Sequence, residues 1–582
     1  MLSSPWDRAI ALVLMALALV TRFAMLNYPR HVVFDEYHFG KFVNGYLSGE
    51  YFFDIHPPLG KLIIAVTAHL GGYTADQQAW AQIGEPITPA VNLLALRAAP
   101  ALQGSLLPPL IFGTGRACGL SRPAALLPAF GALLDLCVLV ESRLVLTDSS
   151  LFLGIVLQLA GSFASDRHAP LSSAWLLWTL TAGMGISIAV CTKWTGMSTV
   201  ACAGIHSLVA LGRARMRGAR LSRLAVECVA RGGLLLLLPA LMYATCSVVH
   251  LWLLPLTGSG AKFMKPAFRA MLDGDPNTAA SIAALGLQPK GLVARMIELQ
   301  REMLRANSSI RTKHTWGSRW WEWPAMMRTV LYWAPGQHER PYVQPPAQPS
   351  ARIYAMGTPF VWWLAAAAPL CFVGWVVVRR FAPRWLPQNM RAVMDVPADH
   401  HAAPLARAAP SHDAVMAPTA APAAAAPAPG ASVETNVGGA IGEGPAEPLG
   451  AAPPIVTSSI LLVGYLANWL PFIAVDRVAF IYHFVPALLH ALLLTGVMLD
   501  VLVPRTPLLA RRIPLSHNHK GPYKLTDLGP ESGYLDDSMR WLVCGALVYL
   551  MAACFAFFAP LCYGTPMSAR ELDSRMWLRS WR

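Results

Sequence analysis

The chain has 582 residues, 55% hydrophobic and only 13% charged, with 19 Trp and 47 Pro. That composition excludes a string of soluble domains and describes a polytopic membrane protein. The net charge of +14 comes from basic residues clustered between apolar stretches, which fits loops facing anionic lipid and argues against a nucleic-acid partner.

A membrane-spanning helix needs about 20 apolar residues. Eleven stretches approach that length: 8–27, 90–113, 124–141, 146–163, 172–191, 194–212, 229–255, 356–378, 455–474, 478–503 and 540–562. The fold class is therefore all-α and polytopic. The first run follows a single Arg and lacks a small-residue cleavage signature, so it reads as an uncleaved span. The apolar stretch 59–73 is too short to cross and reads as an interfacial or re-entrant helix. Most of the ten cysteines lie in or beside apolar segments and none forms a CxxC pair, which points to neither a zinc site nor a disulfide framework.

Threading the spans alternately gathers the basic residues on one side. These are Arg116 and Arg122; Arg213, Arg215, Arg217, Arg220 and Arg223; Arg379, Arg380, Arg384 and Arg391; and Arg505, Arg511, Arg512, Lys520 and Lys524. Lys and Arg bias makes that side cytoplasmic. The opposite, lumenal side receives a polar loop at 28–89, the long stretch 256–355 and the C-terminus. Five regions result: an N-terminal transmembrane module, 1–255; the lumenal loop 256–355; a span with the start of a cytoplasmic loop, 356–396; an insert, 397–454; and C-terminal transmembrane helices, 455–582. The insert is rich in Ala, Pro and Gly and too poor in apolar bulk to fold, so it reads as disordered. Loop 256–355 holds an amphipathic pattern from Leu292 to Arg305, the glycosylation tripeptide Asn307-Ser308-Ser309 and a Trp-rich run.

The chemistry concentrates in the first lumenal loop, at His31-Val32-Val33-Phe34-Asp35-Glu36-Tyr37-His38-Phe39-Gly40-Lys41 and Phe52-Phe53-Asp54-Ile55-His56-Pro57-Pro58-Leu59-Gly60-Lys61. Consecutive carboxylates cannot share one helix face, so one of Asp35 and Glu36 can enter a site while the other is held elsewhere. Further polar groups sit at the lumenal ends of spans: Arg97, Glu141, Arg143, Asp148, Lys193, Asp476, Arg477, Tyr482 and His483. Charge beside a bilayer is costly and usually functional. Local pairing, such as Glu141 with Arg143, accounts for any one of them, but their placement on one side argues for a shared polar cavity. Basic groups there suit a phosphate head group, and a carboxylate suits removal of a hydroxyl proton. The tryptophans either stack on a sugar or, more commonly, anchor the chain at the interface. The residues alone describe a membrane enzyme or transporter handling an anionic lipid-linked substrate. A transport site near the midplane is disfavoured by the one-sided clustering.

The loop wording, Val32 to Phe42 with Tyr51 to Lys61, resembles the protein O-mannosyltransferases, a family of the GT-C superfamily that uses dolichyl phosphate mannose. Matching stretches come in order at Glu141–Ser149, Thr192–Gly196, Ser318–Pro324, Gly357–Trp363 and Arg477–Ala487. The resemblance implies a GT-C fold of about eleven transmembrane helices and a catalytic module within 1–255. It also implies inverting transfer of mannose to Ser or Thr hydroxyls of secretory proteins at the lumenal face of the endoplasmic reticulum membrane, a bacterial plasma membrane being the alternative. By that likeness Asp35 is the base and Glu36 positions acceptor or sugar, while Arg97 is assigned to the donor phosphate. His56, Lys61, Tyr482 and His483 are further donor-site candidates, with Arg143, Asp148, Lys193, Trp320 and Arg477 in support. A phosphate departs already ionised, so no general acid is needed. No tightly bound cofactor or metal is expected, a divalent ion's role being left open. The implied partners are the donor lipid, Ser/Thr-containing polypeptides, the bilayer, and a second copy or a paralogue. Most eukaryotic members carry three MIR repeats where this chain has only loop 256–355, which leaves acceptor recognition open. The alternatives are a non-catalytic partner subunit, or a glycosyltransferase using a polyprenyl-phosphate sugar and another acceptor.

Overall fold

The computed structural model describes residues 2, 4–274, 284, 286, 288–310, 314–336, 351–381, 448–503 and 537–581. Arg384, Arg391, Arg505, Arg511, Arg512, Lys520, Lys524 and insert residues 397–447 lie outside these. The regular structure of the described residues is helical, with one small antiparallel sheet. Its principal helices are α1 (Pro5–Phe23), α2 (Glu36–Ser48), α3 (Leu59–Leu70), α4 (Leu93–Ala117), α5 (Arg122–Leu134), α6 (Leu136–Glu141), α7 (Asp148–Ser165), α8 (Ser173–Thr192), α9 (Met197–Met216), α10 (Leu221–Gly232) and α11 (Leu238–Leu253). They continue as α12 (Leu292–Ser309), α13 (Pro359–Phe381), α14 (Pro454–Trp469), α15 (Val485–Leu502), α16 (Ser538–Phe558) and α17 (Ala569–Arg575). Strands β1 (Val330–Trp333) and β2 (Ile353–Ala355) pair between α12 and α13, with Val330 opposite Ala355.

Among the described residues, eight helices are long and apolar enough to cross a membrane, matching the fourth to eleventh expected spans. The first three expected spans are helical but fall short, for visible reasons. Helix α1 carries Asp7, Arg8 and Arg22. Helix α4 has 25 residues but contains Arg97 and three internal prolines. The third breaks at Asp135, whose backbone is extended (φ −79°, ψ 124°). Its carboxylate accepts from the amides of Val138 and Thr358, both at 3.0 Å, and the Thr358 hydroxyl donates to Leu134 O at 2.6 Å. The polar groups freed by the break are thus satisfied from α13's start, as buried backbone requires. The stretch 59–73 forms the 12-residue α3, shorter than a span.

Helices α7 and α15 form the centre, with 94% and 83% of their apolar windows buried, whereas α16 is peripheral at 17%. Helix α7 runs backbone to backbone against α8. A Cβ added at Gly161 would lie 2.4 Å from Ala182 N, so only glycine permits this approach. The hairpin brings Asp148 at the start of α7 beside Lys193 at the end of α8. At the far end of α7, about 27 Å away by helical rise, Asp166 pairs with Arg213 at 3.3 Å. The described basic loops meet at that far end: Arg122 holds Asp7 at 2.8 Å, Arg540 holds Asp500 at 3.0 Å, and Arg217 donates to Leu449 O at 2.8 Å. Residues of the stretches 28–89 and 256–355 and the polar cluster occupy the other end.

Candidate active site

Asp35 and Glu36 part company in the structure. Glu36 is fully buried and receives a two-pronged bond from Arg97, Nε to Oε1 at 2.8 Å and Nη2 to Oε2 at 2.9 Å. It also accepts from the amides of Val33 (3.0 Å) and Val145 (2.9 Å). Asp35 stands at the N-cap of α2 without capping it and makes no side-chain hydrogen bond or ion pair to another described residue. The residue before it, Phe34, has φ 46°, a left-handed conformation that costs a non-glycine residue about 1–3 kcal/mol and persists only where the surroundings enforce it. Burial pushes the Asp35 carboxyl up to about 7, opposed by Lys193 and reinforced by Asp148 and Asp54.

Within electrostatic reach of Asp35, through Lys193 and Asp148, lies a small cavity lined by His56, Asp148, Lys193, Thr195, Arg477, Tyr482 and His483, with Leu151 and Pro486 as its apolar wall. The residues come from four separate parts of the chain: the α2–α3 loop, the start of α7, the end of α8 and the turn before α15. Lys193 Nζ is bonded to both oxygens of Asp148, at 2.8 and 2.7 Å. Arg477 makes no hydrogen bond or ion pair to another described residue, so its fork is available to a ligand. Burial drives His56 down to about 3, leaving it a neutral imidazole, a hydrogen-bonding wall and not a cation. His483 Nδ1 is engaged with the backbone of Phe480 at 3.0–3.1 Å, and its ring stacks at 4.6 Å on Tyr482. Among the described residues, no group of three or more His, Cys, Asp and Glu could hold a metal ion.

The remaining expected site residues serve the scaffold. Arg97 spends its other donors on Leu26 O (3.0 Å) and Pro29 O (3.3 Å), so the expectation that it meets the donor phosphate is corrected; it clamps Glu36. Glu36, expected to position acceptor or sugar, has both carboxylate oxygens engaged by Arg97 and by the amides of Val33 and Val145. Lys61 uses its ammonium on Asp54 (2.5 Å), His56 O (2.7 Å) and Pro57 O (3.0 Å), fixing the turn that presents His56. Arg143 closes the C-terminal end of α1, donating to Arg22 O at 2.9 Å, and covers the Tyr563 ring at 4.4 Å. Trp320 packs on Trp469 and accepts its indole N–H at the backbone carbonyl, away from the cavity. Asn307 of the glycosylation tripeptide falls in the last turn of α12 and is half-buried. Two residues at the site were not among the expected ones. Thr195 lies inside the Thr192–Gly196 stretch but carries no charge to mark it. Phe34 gives no sign in the sequence of its backbone strain.

Family models match most of the chain. The model described as dolichyl-phosphate-mannose-protein mannosyltransferase covers residues 12–255. The model of the C-terminal four-helix membrane region of protein-O-mannosyltransferase covers 292–400 and 454–581. The chain belongs to the protein O-mannosyltransferase family. Similar curated family members include dolichyl-phosphate-mannose–protein mannosyltransferase 4 of Candida albicans, 35% identical over 270 residues, and protein O-mannosyl-transferase 1 of Mus musculus, 34% identical over 270. Those matches take in 46% and 45% of this chain and 36% of each relative, so the matched part spans about a third of the relatives' length. The solved Saccharomyces cerevisiae Pmt1-Pmt2 complex bound to the sugar donor superposes with a TM-score of 0.75 at 17% identity, covering 100% of this chain and 93% of that one. The architecture is thus that of the family's GT-C fold. The described part of 256–355 fills the place between the membrane regions with α12 and the β1–β2 pair.

Proposed function

We propose that this protein transfers mannose from dolichyl phosphate mannose to Ser and Thr hydroxyls of secretory-pathway polypeptides, at the lumenal face of the endoplasmic reticulum membrane and with inversion. The carrying observation is Asp35, a carboxylate without a partner among the described residues, within electrostatic reach of a cavity that holds a similarly unengaged guanidinium at Arg477. In this reading the donor phosphate lies in the cavity, bonded by Arg477 and by Lys193, whose charge Asp148 tempers. The acceptor hydroxyl gives its proton to Asp35 as its oxygen attacks the anomeric carbon. The bond from that carbon to the phosphate oxygen breaks on the opposite face, and dolichyl phosphate leaves as an anion. One base and two cations suffice. The relatives' names support the donor and acceptor classes. The two-subunit yeast complex supports association with a second copy or a paralogue.

The test is transfer by the purified chain from dolichyl phosphate mannose to a Ser-containing peptide and its Ala-substituted counterpart. Mannose on the first and none on the second supports the reading. No transfer by the folded chain alone, restored by a co-purified paralogue carrying its own intact carboxylate, would instead make this chain the supporting subunit.

The same geometry sets a pH profile and a donor affinity. Because Asp35 must be ionised to accept a proton and titrates near 7, kcat/KM should rise with pH along a limb centred close to 7 and level off above it. A profile flat between pH 5.5 and 8.5 (both about the limits of practical assay) would remove Asp35 as the base. Arg477→Ala should raise the donor KM about 10–100-fold with kcat less affected, as a lost charge-assisted bond of about 1.5–3 kcal/mol implies. An unchanged donor KM would place the phosphate elsewhere.

A further inference from the structure

On its C-terminal side Asp35 is anchored by helix α2 and the Glu36–Arg97 clamp, but its other flank is the strained Phe34. That residue is held by one side chain above all. The ring of Tyr332, from β1 in the C-terminal half, lies flat on the Phe34 ring, centroids 4.1 Å apart and planes 7° from parallel. Phe480 and Tyr482 meet Phe34 edge-on at 6.0 and 6.3 Å, closing a box around it. Tyr332 is itself immobilised: it is 1% exposed, and its hydroxyl donates to Glu141 Oε1 at 2.5 Å. Neighbouring strand residues are buried too, with Trp333 against Tyr28 and His31 at 6.2 and 5.4 Å, so β1 braces the whole approach to Asp35.

We infer that Tyr332 is a positioning residue for the reaction: its ring, stacked on Phe34, holds the left-handed backbone that aims the Asp35 carboxylate at the cavity. The inference rests on the reading of Asp35 as the base. Tyr332 is absent from the cavity lining, so it acts on the reaction through Phe34 and not by touching the donor. A left-handed Phe34 that lost its stack would relax toward an ordinary conformation and swing the next residue's carboxylate. A misplacement of about 1 Å in a reacting group costs about 10²-fold in rate. The device adds a second tie between the two halves of the chain, which already share the cavity through Arg477, Tyr482 and His483. The carboxylate is supplied by the N-terminal module, and its alignment by a strand that comes after the lumenal helix α12.

The test compares purified full-length Tyr332→Leu and Tyr332→Phe with wild type and Asp35→Asn, measuring kcat, donor KM and thermal unfolding. Tyr332→Leu removes the plane and should lower kcat about 10–100-fold, with donor KM within about threefold of wild type. Tyr332→Phe keeps the plane and gives up only the bond to Glu141, so it should restore most of the lost rate. Should Tyr332→Leu fail to fold, Phe34→Leu removes the same stack from the other side and should show the same fall in kcat. Wild-type kcat in Tyr332→Leu, a loss confined to KM, or a Tyr332→Phe as slow as Tyr332→Leu would each overturn the inference. Asp35→Asn inactive beside a fully active Tyr332→Leu removes this inference alone; an active Asp35→Asn removes the base itself.

Discussion

Asp35→Asn should leave a folded protein whose transfer rate is lower by about 10²–10⁴-fold, the range that general-base catalysis supplies. The prediction has two halves because the side chain has so little else to do. Asp35 caps no helix and pairs with no described residue, so the near-isosteric amide gives up no structural contact. What it gives up is a lone pair that can accept a proton. The sign of the stability effect comes from the same titration. A carboxyl whose folded-state value is raised to about 7 favours folding below its unfolded value and loses that contribution as pH rises through 7. The Asn variant cannot ionise, so it should unfold with wild type in acid and at a slightly higher temperature than wild type above pH 7. Initial rates and thermal unfolding of the two proteins across pH check both halves. Undiminished transfer by the variant would exclude Asp35 as the base.

Arg97→Leu is expected to fail differently, by unfolding and not by slowing. Its guanidinium and the Glu36 carboxylate are both fully buried, joined by two bonds of 2.8 and 2.9 Å, and surrounded by amides and carbonyls that complete their coordination. Removing one member of such a pair leaves an uncompensated buried charge and costs about 3–5 kcal/mol. That is a large share of the roughly 5–15 kcal/mol by which folded proteins are stable. Thermal unfolding should therefore shift steeply downward. Arg97→Leu combined with Glu36→Leu should be less damaged than the single change, because no lone charge remains. A single variant of wild-type stability whose only defect is a raised donor KM would instead return Arg97 to the phosphate.

The helical membrane architecture, the side on which the basic loops gather and the loop that carries Asp35 were all legible in the sequence, because each is written as local composition. The roles of individual buried charges were not. Arg97, Lys61 and Arg143 read as site residues because charge beside a bilayer is usually functional. Each instead satisfies a carboxylate or backbone carbonyls brought to it by the fold, a role that composition does not reveal. The same blindness hid the break in the third span, where an apolar run conceals Asp135 and its partner Thr358 comes from the start of α13. Adjacent carboxylates did signal divided roles, since neighbouring positions on a helix face apart. Which of the two would be free depended on Arg97. Tyr332 was invisible because stacking on Phe34 is a tertiary fact without any local pattern.

Direct displacement by a single base has a stereochemical signature. The deciding measurement is the anomeric configuration, by NMR, of mannose placed on a Ser-containing peptide by the purified chain using dolichyl phosphate mannose. One mannose per modified hydroxyl, linked with the configuration opposite to the donor's, is the predicted result. Retained configuration would require a carboxylate that attacks the sugar instead of the acceptor's proton. That outcome, like the absence of any transfer by folded protein alone or paired with a second subunit, would contradict the single-base mechanism.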